Sequence, residues 1–317
     1  MMLADRLRLP LIAAPMFRVS GPELVIAACR SGVVGAFPTS NARSVDELDD
    51  WLTRIAGALA EAPSSGRAAA PFCANLIVRQ ARLADDLACL VRHRVELVIA
   101  SVGSPAPIIP PLHDVGALVF ADVATLRHAE KAVEAGADGL ILLTAGAGGQ
   151  TGWMNPFAFV RAVRAFFDGP LVLAGGVGDG RSLLAARVLG CDFGYMGTRF
   201  IATRESLAND AYKVMLVEAS LDDIVLTSAF TGLRTNMLLP SIVAAGLDPA
   251  ALDARVTPEL ATEMFGAKQS ERATRWRDVW SAGHSVSSVR GVVTVAELVD
   301  DIEAEYDAAR EATRSAY

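Results

Sequence analysis

Short apolar runs alternate along this chain with segments whose apolar residues recur at helical spacing. The runs fall at residues 9–14, 33–37, 72–78, 97–102, 117–123, 140–144, 171–174 and 193–196. Helical segments are predicted at 22–29, from Ser44 through Leu59, at 84–93, 125–135, 156–167 and 183–189. Ser44 and Glu47 have capping-box spacing, Pro156 opens a first turn, and Gly136 and Gly190 stand where helices stop. Runs this far apart are joined by crossovers rather than hairpins, so the sheet is parallel. Eight strands, almost all followed by a helix, predict a closed (β/α)8 barrel of the TIM type. The helix that completes it is delayed to 295–312. Residues 1–204 and 286–317 are assigned to the barrel. Residues 205–285 are assigned to a helical insertion, or second domain, over its C-terminal mouth.

Composition narrows the classes. The chain has 317 residues, 52% hydrophobic and 21% charged, with a net charge of −7. Basic residues are scattered, which argues against a nucleic-acid surface. No apolar run approaches the ~20 residues that span a bilayer. The first residues carry early charges and no leader pattern, so a cytoplasmic protein is expected. Cys29, Cys73, Cys89 and Cys191 lack metal-ligand spacing and read as reduced core thiols.

Strand ends define the mouth of such a barrel. They carry Ala14, Pro15 and Met16 after the first strand, Asn75 on the third, Ser101 on the fourth and Asp122 on the fifth. The sixth is followed by AGAGGQTG, including Ala147, Gly148, Gly149 and Gln150. Gly175 and Gly176 follow the seventh; Tyr195, Met196, Gly197 and Thr198 close the eighth. Two glycine turns after the last two strands offer backbone N–H groups to a phosphate. The mouth holds no Ser/His/Asp set, carboxylate pair or metal-ligand cluster. Such a site suits an organic cofactor that carries the chemistry itself, and FMN fits: one phosphate, and a flat ring with a polar edge.

These residues resemble a known family. AAPM at 13–16, FCANL at 72–76, GAGGQTG at 146–152, LAGGV at 173–177, YMGTRF at 195–200, TSAFTG at 227–232 and AGHS at 282–285 are similar to the nitronate monooxygenases, formerly 2-nitropropane dioxygenases. The resemblance runs in order along nearly the whole chain. It implies an FMN-dependent barrel with a helical second domain. It implies Pro15 and Met16 at the flavin ring and Asn75 at its polar edge. Gly148, Gly176 and residues 195–198 would hold the phosphate.

The departures from the family are informative. Many members carry a histidine, taken as the catalytic base, where this chain has Gln150. A glutamine cannot accept a proton near neutral pH. The expected substrate is therefore an already anionic nitronate, oxidised with O2, or a different small molecule. Leu143 replaces a common glutamine. Asp122 introduces a carboxyl that is expected to cap the next helix, or to be paired or turned away from a flavin. Arg199 and His284 remain as charge candidates near the mouth. The alternative within flavin enzymes is an NAD(P)H-dependent reductase of an enone, quinone or acyl thioester. A phosphosugar isomerase or lyase on the same barrel lacks its lysine or carboxylate pair here. The sequence admits a homodimer, and calls for neither nucleic acid nor membrane.

Overall fold

In the computed structural model, residues 3–61, 68–252 and 279–315 are described. Eight parallel strands close into a barrel. They are β1 (Leu11–Ala13), β2 (Val34–Pro38), β3 (Phe72–Ile77), β4 (Leu97–Ser101), β5 (Leu118–Val123), β6 (Gly139–Leu143), β8 (Leu171–Ala174) and β9 (Phe193–Met196). Closure is made by β1 against β9, with Leu11 opposite Gly194 and Ala13 opposite Met196. Just beyond, the Ala14 N–H donates to the Met196 carbonyl at 2.9 Å. The (β/α)8 reading is confirmed.

Strand alternation splits the core into two shells. Outward residues such as Leu11, Leu76, Leu140 and Met196 pack under the helices. Inward residues fill the lumen, among them Ile12, Cys73, Phe120, Ile141, Val172 and Phe193. Gly139 leaves room for the Phe120 ring, which a Cβ there would meet at 2.6 Å.

The helices follow sequence signals with small shifts. They are α1 (Pro22–Arg30), α2 (Val45–Ala60), α3 (Leu83–Arg92), α4 (Ile109–His113), α5 (Leu126–Glu134), α6 (Pro156–Arg164) and α7 (Gly180–Leu189). Ser44 caps α2 by accepting the Glu47 N–H at 3.1 Å. The proline-rich stretch after β4, given no helix by its periodicity, forms α4: its prolines sit in the first turn, where no N–H is needed. Helix α7 starts three residues earlier than its apolar pattern, because Asp179 accepts the Ser182 N–H at 2.7 Å. All four cysteines are free and buried. Burial pushes the Cys29 and Cys191 thiols up to about 12.

After β9 come α8 (Thr198–Ile201), α9 (Asp210–Glu218), β10 (Ile224–Thr227), β11 (Thr235–Leu238) and α10 (Leu239–Ala244). The described part of 205–285 therefore contains strands as well as helices. Strand β11 pairs antiparallel with β10 and with a two-residue strand, β7 (Gly149–Gln150), in the loop after β6. Helix α11 (Val295–Ser315) completes the barrel and packs chiefly on α7. Among the described residues no helix is long and apolar enough to cross a membrane.

The α7–α11 crossing depends on Gly180, where a Cβ would lie 2.1 Å from the Tyr306 nitrogen and 2.3 Å from the Ile302 carbonyl oxygen. Both are backbone atoms and cannot swing aside. Gly180→Ala is expected to destabilise the fold by about 1–3 kcal/mol, the usual range for overpacking. Chemical denaturation would read this as a lower midpoint, and an unchanged midpoint would show that the crossing is slack.

Candidate active site

The C-terminal ends of the strands meet at one rim, and alternation decides which side chains face it. Asn75 on β3 is buried and faces inward, with its Nδ2 donating to Ser101 Oγ at 3.1 Å and to the Ile99 carbonyl at 3.3 Å. It caps no turn. Tyr195 on β9 packs with the lumen residues; burial raises its hydroxyl well above the ordinary value, aided by Asp122 and Cys73. Met196, one residue on, is fully buried in the outer shell, so only its backbone faces the rim. Met16 is half-buried beside Gly197, whose Cβ position lies 3.4 Å from the Met16 sulfur. Pro15 and Ala14 sit with it at the end of β1.

The two glycine turns are built for close approach. Gly175 and Gly176 have φ of +119° and +78°. A Cβ on Gly175 would lie 2.3 Å from Thr144 Oγ1, whereas Gly176 faces open space. Among the described residues neither the Gly176 nor the Val177 N–H has an acceptor. Gly197–Thr198 leads into α8, whose first N–H groups have no intrahelical partner. A cradle with left-handed glycines, unspent N–H groups and space where a side chain would stand fits a phosphate. Arg199 does not join it. Its guanidinium is buried behind the turn, donates to the Gly178 carbonyl at 3.2 Å and lines a cavity of about 120 Å³ with Val289, Leu298 and Asp301.

The loop after β6 is held from outside. Buried Asn236 on β11 donates to the carbonyls of Ala145 at 2.9 Å and Ala147 at 2.7 Å. The His284 N–H donates to the Gly146 carbonyl at 3.0 Å and the Gly283 N–H to Thr198 Oγ1 at 3.0 Å. One short segment thus ties the loop after β6 to the loop after β9. The His284 side chain is exposed. Gly148 is exposed, and a Cβ on it would meet the Gly283 nitrogen at 2.7 Å. Gly149 has φ +68° and pairs with Asn236, while Gln150 pairs with Thr235. The Gln150 side chain is half-buried and makes no hydrogen bond to a described residue. Sequence reasoning missed Asn236 and Thr198 as clamps. Their only signal was polarity inside apolar surroundings.

Asp122 corrects an expectation. Thr125, not Asp122, caps α5, accepting the His128 N–H at 3.1 Å. Among the described residues Asp122 is not paired. It faces the lumen on β5, and its Oδ1 is sealed from water with no hydrogen-bond partner among the described residues. Burial raises the carboxyl from 3.8 to about 7.

Comparison with known proteins bears on this arrangement. The family model for nitronate monooxygenase matches residues 86–305. The chain is 27% identical to a nitronate monooxygenase of Paraburkholderia phytofirmans, covering 93% of this chain and 92% of that protein. It is 29% identical to the (3aS,4S,5R,7aS)-5-hydroxy-7a-methyl-1-oxo-octahydro-1H-indene-4-carboxyl-CoA dehydrogenase of Mycobacterium tuberculosis over 74% of this chain; the match spans 64% of that dehydrogenase. Among solved structures, FabK from Thermotoga maritima superposes with TM-score 0.82 at 26% identity, covering 99% of this chain and 97% of its own. A nitroalkane oxidase from Streptomyces ansochromogenes gives 0.79 at 26% identity, covering 98% and 99%. The chain belongs to the nitronate monooxygenase family, a family of flavin-dependent oxidoreductases.

Asn236→Ala would leave the buried Ala147 carbonyl and the part-buried Ala145 carbonyl without this donor, at about 1–3 kcal/mol for unsatisfied groups. Amide hydrogen exchange in 145–150 should speed up while β4 and β5 keep their protection. Unchanged exchange in that loop would remove Asn236 from the role of clamp.

Proposed function

We propose that this chain is an FMN-dependent enzyme that oxidises alkyl nitronates with O2. The observation that carries the reading is the cradle of unspent N–H groups at Gly176 and Val177, beside Gly197–Thr198 at the ends of β8 and β9. The end-to-end similarity to a nitronate monooxygenase supports it. Bound FMN would supply the electron transfer and the reaction with oxygen.

The chain's own residues would bind and orient. Gly175, Gly176 and residues 195–198 hold the phosphate, chiefly through backbone. Pro15 and Met16 flank the ring, with Ala14 beneath them, and Asn75 meets its polar edge. Ala147, Gly148 and Gly149 shape the opposite wall. The described parts of 205–285 serve as cover, pinned through Asn236 and Gly283. Gln150 stands at the mouth with an amide that bonds no described residue; it can donate to a nitronate oxygen but cannot remove a carbon-bound proton.

The lack of a base at position 150 yields a test. Ethyl nitronate, ionised beforehand, is expected to be turned over, whereas neutral nitroethane supplied below its ionisation range is not. Equal oxygen consumption with both would show a base that Gln150 does not provide. Gly176→Val would place a strained side chain in the cradle and is expected to lower FMN retention about tenfold or more, read from flavin absorbance after dialysis. Retention at the wild-type level would move the phosphate elsewhere.

A second reading is favoured by Gln150 together with the CoA-thioester dehydrogenase relative: a flavin enzyme of acyl thioesters. Anaerobic reduction of the flavin by NAD(P)H, with no response to nitronate, would select it.

A further inference from the structure

We propose that the Asp122 carboxyl is a specificity-determining group that donates a hydrogen bond to the anionic oxygen of the substrate. The inference rests on the nitronate reading and supplies what Gln150 leaves open: how an anion is recognised in a mouth whose Arg199 is spent behind the turn after β9.

The argument is one of position. Asp122 lies in the inward row of β5, one layer above Phe120, with Ile141 as its cross-strand partner on β6. The cradle lies at β8 and β9, and the candidate ring contacts lie at β1 and β3. Asp122 therefore stands in the other half of the mouth, on the strand next to β6, whose loop carries Gln150. Its Oδ1 is enclosed and unpartnered among the described residues while the residue as a whole keeps partial exposure, so Asp122 stands where the closed lumen meets the open mouth. No cation or hydrogen-bond donor of the protein stabilises a charge on it among the described residues.

A carboxyl so placed keeps its proton on the acid side of neutrality. Burial alone raises it to about 7. The titratable groups facing it are the Cys73 thiol from β3 and the Tyr195 hydroxyl from β9. Both are raised well above their ordinary values by burial, and both stay neutral around pH 7. The lumen residues from β4, β6 and β8, such as Ile99, Ile141 and Ala174, carry no charge. A neutral acid can donate to an oxyanion; the ionised form can only repel it. The sign follows: substrate affinity is full at acid pH and falls as the pH rises through the Asp122 transition.

The test uses the FMN-loaded protein and freshly added, pre-ionised ethyl nitronate, with initial rates taken between pH 6 and pH 8. For the wild type, KM should rise about tenfold across that range while kcat changes less. Asp122→Asn keeps a donor without a titration, so its KM should stay near the wild-type acid value and be flat. Asp122→Val removes the donor, so its KM should be raised at pH 6 and equally flat. Infrared difference spectra between pH 6 and pH 8 give a readout independent of activity: a carboxylic-acid carbonyl band present at pH 6, lost at pH 8 and missing in Asp122→Asn. Coincident KM profiles for wild type and Asp122→Asn, or a band that survives the substitution, overturn the inference alone. No turnover of nitronate at any pH overturns the nitronate reading and this substrate with it.

Discussion

The parallel pairing of β1 with β9 is the constraint on which the rest depends. Once the first and last barrel strands share hydrogen bonds, every strand has one face in the lumen and one under the helices. A residue's parity then decides its chemistry. Tyr195 and Met196 are adjacent in sequence, yet one stands in the lumen near Asp122 and the other is sealed beneath the helical layer. The same closure brings the turns after β8 and β9 side by side, so that two unremarkable glycine sequences become one cradle.

The mouth is shaped as much by what leans on it as by what the strands project. Strand β11 reaches across to pair with Gly149 and Gln150, and Asn236 fastens the carbonyls of the preceding loop. Gly283 and His284 join that loop to the turn after β9 through backbone N–H groups. These contacts are almost all backbone or amide, which suits a wall that must hold shape without adding charge. Charge at the rim is correspondingly sparse: Arg199 is turned behind the turn, and the upper lumen holds Asp122 as its acid.

Much of the fold was legible in the sequence because parallel strands buried on both faces leave continuous apolar runs, and because caps and glycines mark their ends. The eight strands, the Ser44 cap and the delayed final helix all follow from local signals. The short helix at Ile109–His113 escaped because prolines in a first turn look like a loop to a periodicity argument. The two-residue strand at Gly149–Gln150 and its partner β11 escaped because an isolated pairing partner leaves no periodic trace.

By itself the sequence determined the barrel, the glycine turns and the presence of a glutamine, Gln150, in the loop after β6, since these rest on local propensity and on residue identity. Only the tertiary structure decided that Asp122 Oδ1 is enclosed without a partner among the described residues, that Asn236 clamps a loop about ninety residues away and that Arg199 faces away from the cradle. Each of those depends on which side chains are brought together across strands and on what water can reach. Burial of a carboxyl is set by its neighbours in space, and no spacing along the chain encodes them.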